Sequence, residues 1–323
     1  MVYRIGLLGA SKIAPGAVIA PAKTNPDFEV VAVGARDLGR AKAYAETHGI
    51  PHVAASYAEL VGRDDVDVVY NALPPVGHEE WSIAALEAGK AVLCEKPFAM
   101  NASQAQRMVD ASARLGRPLL EAFHYRHHTV MLQAEAVVRS GALGMVREAT
   151  AVFNVNIPRS PDELRWRADL GGGGLMDLGC YPIHALRTLI GEEPVIRSAS
   201  GTFEGRVDTE IAAEFAFPGG CAGHVACAMV TEAINATLSL EGDRGRLEIV
   251  NYLAPQRGCR FTTTIDGETV VRATEGPSTY EAQLIDLALV LADKATPKTG
   301  GADAVANMAA IDAIYAAAGR PAA

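Results

Sequence analysis

The sequence predicts an α/β protein with a doubly wound parallel sheet at its N-terminal end, followed by an α/β domain with an open, mostly antiparallel sheet. The chain has 323 residues, whereas a single hydrophobic core stops growing at about 250–300 residues. Apolar runs alternate with helical patterns as far as residue 123, which is typical of a parallel sheet covered by helices. Beyond residue 146 apolar and polar residues alternate, as in antiparallel strands with one polar face. We therefore expect domains at residues 1–123 and 124–323.

Composition and charge argue against several classes of protein. The formal net charge is -9 and 49% of the residues are hydrophobic, so a full core can form and nucleic acid is not an expected partner. No apolar run approaches the roughly 18–20 residues that a membrane span needs. The N-terminal residues enter a strand pattern directly, which leaves no room for a cleaved signal. Five scattered cysteines form no Cys-x-x-Cys pair, and this favours buried thiols in a reducing cytoplasm.

The first expected element is a strand over residues 4–9, with a turn and then a helix that begins near Pro15. The dinucleotide fingerprint requires Gly-x-Gly-x-x-Gly/Ala at such a turn. The first glycine and the final alanine, Ala14, are present, but Ser11 replaces the middle glycine. Alone, this match fits an ordinary strand-to-helix turn equally well. In its context we predict cofactor contacts from Gly9, Ser11, Lys12 and Ile13.

The end of the second strand, expected at 29–33, predicts which nicotinamide cofactor is bound. NAD enzymes place an acidic residue there, against the ribose hydroxyls. Here that position is occupied by Ala35, with Arg36 beside it, and a guanidinium pairs well with the 2′-phosphate of NADP. We therefore expect NADP, with Ala35 and Arg36 near its ribose. The alternative is that Arg36 faces solvent while Asp37 binds the ribose of NAD.

Strands and helices continue to alternate through the rest of this domain. A nearly all-apolar strand is expected over residues 66–71, and two prolines end it. Because open α/β sheets bind ligands at the carboxyl ends of their strands, we predict cofactor contacts from Asn71, Leu73 and Pro74. His78 is expected to cap the next helix or to line the nicotinamide pocket. The other expected elements are helices at 39–49, 57–60, 80–88 and 101–115 and a strand at 118–123.

The stretch Ala91–Pro97 carries the residue that we expect at the centre of the chemistry. A short apolar run reaches Glu95, Lys96 and Pro97 and then breaks. If this run is a strand within a parallel sheet, Lys96 emerges at its carboxyl end, where ligands bind. We predict that Glu95 and Lys96 contact the cofactor and that Lys96 lies where the nicotinamide meets a substrate.

A polar cluster, His124–His128, begins the second predicted domain and precedes a helix expected over residues 130–139. Three histidines in five residues suggest a metal site at first, but no cysteine or acidic ligand is adjacent at the usual spacing. We therefore predict no metal and assign the cluster to substrate contact or domain packing.

Alternation dominates the rest of the second domain. Phe153, Val155 and Ile157 alternate with asparagines, and the apolar residues of 234–240 alternate with polar ones. The polar face of such a sheet meets solvent, lines a pocket or pairs with another subunit. Turns are expected at 218–220, 242–245 and 266–267, and helices at 279–294 and 302–318.

A glycine-rich stretch in this domain predicts the second part of the site. Four consecutive glycines at residues 171–174 cost much backbone entropy unless a close approach is needed. Asp177 and Tyr181 follow, four residues apart, so they share one face of the next helix. With Lys96 they would form a proton-transfer set. The alternative is a glycine loop that begins an ordinary helix.

The chain resembles the glucose–fructose oxidoreductase and inositol dehydrogenase family over nearly its whole length. The motifs that carry the resemblance are Gly9–Ala14, Asn71–Pro75, Glu95–Pro97 and Gly172–Tyr181. Many members carry histidine four residues after the aspartate, where this chain has Tyr181. Together with Glu121–Arg126 and Ser278–Gln283, this tyrosine resembles the branch of trans-dihydrodiol dehydrogenases, xylose dehydrogenases and glucose–fructose oxidoreductase, which commonly uses NADP.

The resemblance implies hydride transfer between nicotinamide and a sugar, polyol or dihydrodiol, or the corresponding carbonyl compound. It implies a Rossmann domain and a second sheet that often packs against a partner subunit, hence a homodimer or homotetramer. It assigns Lys96 and Tyr181 to catalysis and Asp177 to the same site. The second-rank substrate contacts are Arg126, Arg165 and His184. The departures from the family pattern are Ser11, His124 and His127, and the two histidines leave the substrate open.

The mechanism that we expect uses Tyr181 to move the proton. A free tyrosine has a pKa of about 10, and the nearby ammonium of Lys96 would lower it. Lys96 would also hold the substrate oxygen as charge develops, and Asp177 would orient Lys96 or a substrate hydroxyl. The roles of Lys96 and Tyr181 could be exchanged. Two other functions remain open: a redox-assisted lyase or glycoside-cleaving enzyme, and a non-catalytic NADP(H) sensor.

Overall fold

The computed structural model describes residues 2–160 and 162–321, and the chain divides into two compact units. The first unit holds the chain as far as His124 together with Tyr280–Val305. The second holds Tyr125–Thr279 and the chain from Ala306 onward. These units differ from the predicted contiguous domains, because the segment 280–305 returns to the first unit.

A six-stranded sheet forms the centre of the first unit, in the order β3-β2-β1-β4-β5-β6. Its strands are β1 (Tyr3–Leu8), β2 (Phe28–Gly34), β3 (His52–Ala54), β4 (Val68–Asn71), β5 (Ala91–Cys94) and β6 (Leu119–Glu121). All neighbouring strands run parallel. The order reverses where β1 lies beside β4, which is the point at which doubly wound sheets bind ligands.

The predicted helices are all present, with their ends shifted by a few residues. The α-helices are α1 (Ala20–Thr24), α2 (Leu38–His48), α3 (Tyr57–Val61), α4 (His78–Glu87), α5 (Ala102–Leu115), α6 (Thr129–Arg139), α7 (Cys180–Ile190), α8 (Thr279–Leu291) and α9 (Gly301–Ala317). Two π-helical turns, Pro15–Ile19 and Leu175–Gly179, lead directly into α1 and α7. Helix α9 is divided between the two units after Val305.

The core of the first unit explains why the chain returns to it. Ile5 and Leu93 of the sheet share one buried cluster with Leu284 and Leu287 of α8. The helical spacing of apolar residues in α8 therefore marks a face that packs within the first unit. Burial of a side chain of this size contributes about 1.5–3 kcal/mol.

An eight-stranded sheet forms the second unit, in the order β14-β13-β12-β11-β7-β10-β9-β8. Its strands are β7 (Val146–Asn154), β8 (Val195–Glu204), β9 (Val207–Ala216), β10 (Ala222–Ala228), β11 (Asn235–Gly242), β12 (Gly245–Val250), β13 (Arg260–Ile265) and β14 (Glu268–Val271). Only β7 and β10 run parallel among the neighbouring strands described. The predicted turns lie between β9 and β10, β11 and β12, and β13 and β14. The predicted fold class is thereby confirmed.

Burial alternates along β10, β11, β12 and β13 as the sequence predicted, whereas β14 is exposed throughout and β8 has no buried residue. Leu238 and Leu240 are buried, whereas Ile234, predicted to share their face, is 75% exposed because β11 begins after it. Strand β7 ends at Asn154, so Val155 and Ile157 lie beyond it. Within the described residues, no helix has the length and apolar character that crossing a membrane requires.

Candidate active site

The glycine turn after β1 is built by a close approach of three chain segments. Gly9 has a φ of +95°, and its amide donates to the carbonyl of Gly34 at 2.8 Å. A Cβ at Gly9 would lie 3.4 Å from the carbonyl oxygen of Ala72. Ser11 Oγ accepts from the Ala14 amide at 3.2 Å, so the hydroxyl that replaces the middle glycine caps the helical turn that follows.

Helix α2 supports this turn through two side chains that the sequence analysis did not select. Arg40 Nη2 donates to the carbonyl oxygen of Ala10 at 2.9 Å. Tyr44 Oη donates to the carbonyl oxygen of Ser11, also at 2.9 Å. The two side chains are four residues apart and so lie on one face of α2. That spacing was the available signal, but nothing in the sequence indicated which face meets the turn.

The residues that we expect near the cofactor ribose follow the end of β2, at Gly34. Ala35 is buried, whereas Arg36 and Asp37 are exposed. Asp37 is already engaged, because its Oδ1 accepts from the Arg40 amide at 2.6 Å and caps α2. Lys12 and Ile13 lie exposed in the turn after β1.

The loop after β4 is organised by two buried polar side chains. Asn71 Nδ2 donates to Ser82 Oγ at 3.1 Å, and its Oδ1 accepts from the Leu73 amide at 3.3 Å. Leu73 and Pro74 remain partly exposed. The Asn71 side chain is buried in the loop that presents these two residues, and its contact with the cofactor stays a prediction.

His78 is the first residue of α4 and is fully buried. Its Nε2 lies 2.8 Å from the carbonyl oxygen of Leu73, and its Nδ1 lies 3.0 Å from that of Pro97. Burial lowers the pKa of His78, and a neutral imidazole carries a single N–H donor. The ring lies between the loop after β4 and the loop after β5, and in the neutral form it donates to one of these two carbonyl oxygens at a time.

Lys96 leaves the sheet at the carboxyl end of β5, as predicted, and is half-buried. Strand β5 lies between β4 and β6. Glu95 precedes it, 9% exposed, and Glu95 Oε1 accepts from Tyr70 Oη at 2.5 Å. Glu95 Oε2 accepts from the Lys96 amide at 3.3 Å. The carboxylate is thus held between the β4 strand and the backbone of Lys96.

The glycines of the second unit allow the close approach that the sequence predicted. A Cβ at Gly172 would lie 2.6 Å from the carbonyl oxygens of Leu164 and Arg165. Gly173 has a φ of +130°, and a Cβ there would lie 2.2 Å from Asp208 Oδ1. A side chain at either position would collide with its neighbours. The loop then enters the helical run that carries Asp177 and Tyr181.

Asp177 forms an ion pair with Arg165 within this unit. Arg165 Nε donates to Asp177 Oδ2 at 2.6 Å, and Arg165 Nη1 lies 3.1 Å from Glu163 Oε1. The charge of Asp177 raises the pKa of Arg165. The Arg165 side chain is 45% exposed, so one charged group of this pair remains accessible to solvent.

Tyr181 is held by aromatic contacts. Its ring meets Tyr125 edge-on at 5.8 Å between centroids and Phe153 at 5.7 Å. Such edge-to-face pairs are worth about 0.5–1.5 kcal/mol beyond their buried area. The side chain is 6% exposed, so the phenol has a defined position on α7.

Two predicted substrate contacts are interior groups. Arg126 is 8% exposed and pairs with Glu135 at 2.6 Å. His184 is 1% exposed, and its Nδ1 lies 2.6 Å from Tyr125 Oη. Of the three predicted substrate contacts only Arg165 has an exposed side chain, and contact of Arg126 and His184 with a substrate stays a prediction.

The histidine cluster has packing roles. The His124 ring lies 4.2 Å from the Tyr280 ring. His128 Nδ1 accepts from the Val130 amide at 3.1 Å and caps α6. Across residues 2–160 and 162–321 no group of three or more His, Cys, Asp or Glu side chains is arranged to hold a metal ion.

Comparison with known proteins identifies both halves of the chain. A family described as an oxidoreductase family with an NAD-binding Rossmann fold matches residues 3–123. A family described as the GFO/IDH/MocA C-terminal domain matches residues 131–248.

Similar proteins and structures cover most of the chain. The D-xylose 1-dehydrogenase (NADP(+)) 2 of Haloferax volcanii is 32% identical over 96% of this chain and 95% of its own length. The trans-1,2-dihydrobenzene-1,2-diol dehydrogenase of Oryctolagus cuniculus is 35% identical over 72% of this chain and 70% of its own. A crystal structure of aldose-aldose oxidoreductase from Caulobacter crescentus, complexed with glycerol, superimposes with a TM-score of 0.90 at 28% identity. A 3-ketoreductase from Actinomadura kijaniata, in complex with NADP and TDP-benzene, gives 0.89 at 26% identity. In both structures, 98% of each chain is covered.

Proposed function

Because this chain belongs to the GFO/IDH/MocA oxidoreductase family, we propose that it is an NADP-preferring dehydrogenase or reductase of sugar, polyol or dihydrodiol substrates. The reacting group is a secondary alcohol or hemiacetal, or the corresponding carbonyl. The observation that carries this proposal is Lys96 at the carboxyl end of an interior parallel strand, with its neighbouring carboxylate Glu95 fixed by Tyr70. Ligands of open α/β sheets bind at this position.

Arg36 supports the choice of NADP. Its side chain is exposed at the end of β2, while Asp37, which would otherwise bind a ribose hydroxyl, caps α2. A charged pair of a guanidinium with a 2′-phosphate contributes about 1.5–3 kcal/mol. The Haloferax relative is named as an NADP(+) enzyme, and the Actinomadura ketoreductase was solved with NADP.

The substrate class follows from the same relatives. One is named for xylose, another for a dihydrobenzene diol, and both names describe a carbon that carries a hydroxyl next to a second oxygenated carbon. We propose Arg165, whose side chain in the second unit is exposed, as a substrate contact.

We propose that Tyr181 moves the substrate proton while Lys96 holds the same oxygen. A bound nicotinamide supplies or accepts the hydride. The Lys96 ammonium would stabilise negative charge on that oxygen, and Asp177 keeps Arg165 oriented through their ion pair. Solved variants of the Actinomadura ketoreductase replace one tyrosine by phenylalanine and one lysine by alanine or glutamate. Their separation in sequence is close to that of Lys96 and Tyr181.

A location and an assembly belong to the same proposal. None of the five cysteines, all of which lie within the described residues, is in a disulfide, and four of them are buried, which supports a cytoplasmic protein. The polar face of the second sheet carries small residues, and on it His224 of β10 lies opposite Glu214 of the adjacent strand β9. We propose that this face packs against a second copy in a homodimer or homotetramer, and light scattering that gives a monomer would exclude it.

The decisive experiment follows absorbance at 340 nm with wild type, Lys96→Ala and Tyr181→Phe. NADP⁺ and NAD⁺ are offered with pentoses, hexoses, inositols and trans-dihydrodiols, and NADPH with dicarbonyls. We expect NADP-dependent turnover with one substrate class, with losses of about 10²- to 10⁴-fold in both variants. Lys23→Ala, an exposed lysine on α1, is the matched control and keeps wild-type turnover.

Other outcomes point elsewhere. If Tyr181→Phe keeps nearly full turnover and an unchanged pH profile, the tyrosine role is wrong. No turnover across the panel, with NADPH still bound, would favour a redox-assisted lyase or a cofactor sensor.

A further inference from the structure

Asp208, near the start of β9, is a fully buried carboxylate within the second unit. Its Oδ2 accepts from the Leu175 amide at 2.5 Å, and its Oδ1 accepts from Tyr315 Oη at 2.7 Å. An ionised carboxylate is expensive to bury unless it is hydrogen-bonded. Both of its oxygens have a donor here, so the group is built into the fold.

The glycine loop is shaped around this carboxylate. A Cβ at Gly173 would lie 2.2 Å from Asp208 Oδ1, and one at Gly174 would lie 3.3 Å from Asp208 Oδ2. Gly173 also has a positive φ, which residues with a side chain rarely adopt, and this is a second reason for glycine at this position. Two of the four consecutive glycines therefore serve the approach of Asp208.

The helical run that starts at Leu175 has no cap of its own. Its preceding residue, Gly174, has no side chain and makes no capping hydrogen bond. The first amides of a helix lack intrahelical partners, and the helix dipole favours negative charge at that end. Asp208 supplies both the acceptor and the charge from a neighbouring strand.

A register irregularity lies beside Asp208. The pairing of β8 with β9 shifts between Thr202 and Phe203, and Phe203 is the partner of Asp208. Val207, Asp208 and Thr209 are all buried, which interrupts the two-residue alternation of the strand. Bulges re-aim side chains in this way.

We propose that Asp208 is a positioning residue that fixes the start of the helical run carrying Asp177 and Tyr181. This inference rests on the proposed roles of those two residues. Tyr315, 7% exposed with Arg320 stacked 4.0 Å over its ring, holds the opposite carboxylate oxygen and fixes its direction. Burial raises the pKa of Asp208, against the opposing effect of its two donors.

The test uses Asp208→Asn, in which the side chain keeps its shape but loses its charge. The new amide NH₂ then faces one of the two hydrogen-bond donors, the Leu175 amide or Tyr315 Oη. Hydrogen–deuterium exchange is measured over peptides within residues 172–181. The kcat is normalised to the concentration of sites that bind NADPH, so that unfolded protein is not counted. We expect about tenfold faster exchange, of the size that loss of a good cap produces, and a kcat lower by about ten- to a hundredfold. The Kd for NADPH changes little, because it depends on the first unit.

Two companion variants complete the test. Glu210→Gln changes an exposed carboxylate on the same strand and should alter neither measurement. Tyr315→Phe removes one donor but keeps the charge, so the same changes are expected in smaller degree. If Asp208→Asn does not fold, Tyr315→Phe becomes the deciding variant. The inference is then overturned if Tyr315→Phe leaves both the exchange rate and kcat unchanged.

The outcomes separate this inference from the proposed function. Unchanged exchange in Asp208→Asn overturns the cap, whatever the enzyme's activity. Faster exchange with unchanged kcat per site overturns the positioning role. A wild type that turns over no substrate, with exchange still sensitive to Asp208→Asn, leaves the cap in place and rejects the proposed function.

Discussion

At the scale of single residues, Ser11 shows how a departure from a motif is accommodated. Its hydroxyl oxygen accepts from the Ala14 amide, so one donor at the start of the helix is satisfied internally. The hydroxyl proton remains available to a phosphate oxygen, since a serine hydroxyl can donate and accept at once. We therefore expect Ser11 to donate to a phosphate oxygen of the cofactor from the position that the fingerprint gives to a glycine.

Arg36→Ala is expected to weaken NADPH binding by about ten- to a hundredfold, the equivalent of a charge-assisted hydrogen bond of about 1.5–3 kcal/mol. NADH binding should change little, because NADH lacks the 2′-phosphate. Quenching of protein fluorescence by each cofactor gives the two Kd values. Arg114→Ala, an exposed arginine on α5, is the control. Equal losses for both cofactors would contradict the assignment of Arg36.

At the scale of elements, the sequence predicted most helix and strand positions because their signals are local. The helix α2 begins at a capping aspartate, Asp37, and ends before Gly49 with a φ of +70°. Such caps and the spacing of apolar residues can be identified without tertiary information. The two π-helical turns were not predicted. Each is only five residues long, and a π-helical segment of that length leaves the spacing of apolar residues almost the same as in an α-helix.

The parts of the site that were missed depend on contacts between distant segments. Nothing in the sequence marks Tyr44 of α2 as part of the site, because its hydrogen bond to the Ser11 carbonyl forms only when α2 packs beside the turn. His184 and Arg126 were expected in the site because of their residue types and neighbours in sequence. Both are buried. His184 lies on α7, where nearly every residue is buried, and Arg126 lies in the turn before α6, and a single sequence does not show in either place which side chains point inward.

Helix α5 provides a test of local capping. Asn101 accepts from the Gln104 amide at 2.9 Å, and Gln104 Oε1 accepts in return from the Met100 amide at 3.0 Å. Asn101→Ala should lower the free energy of unfolding by about 1 kcal/mol, as measured by urea denaturation. Asn101→Asp keeps the acceptor and suits the helix dipole, so it should be neutral or slightly stabilising. A loss in Asn101→Asp as large as that in Asn101→Ala would rule out the cap as the cause.

At the scale of the whole molecule, the acid sensitivity of folding can be assigned in part to one ion pair. Arg4 Nε and Nη2 donate to the two oxygens of Asp67 at 2.9 and 2.8 Å. The hydrogen bonds from Arg4 lower the pKa of Asp67 in the folded state. A carboxyl with a lowered folded pKa contributes stability above its unfolded pKa, about 3.9 for aspartate, and loses it as pH falls.

Asp67→Asn should therefore destabilise the protein at pH 7 and have a smaller effect below about pH 4. The side chains are about a third exposed, so the expected difference at pH 7 is at most about 1 kcal/mol. Urea denaturation of wild type and variant at both pH values measures it. The more exposed pair of Asp243 with Arg147, whose side chains are 47% and 57% exposed, offers the comparison Asp243→Asn, for which a smaller difference is expected. A difference that grows on acidification would contradict the assignment.

The return of residues 280–305 to the first unit has a consequence for how the protein is made. The ribosome releases the strands of the first sheet early, but Leu284 and Leu287, which complete their hydrophobic core, emerge only after the strands of the second sheet. Domains otherwise fold as they emerge, at about 5–20 residues per second. The nascent nucleotide-binding unit must therefore wait, with part of its apolar surface uncovered, while the whole second sheet is translated. During that interval it is a natural client for chaperones, and a nascent chain stalled before α8 should be captured by them more readily than one stalled after it.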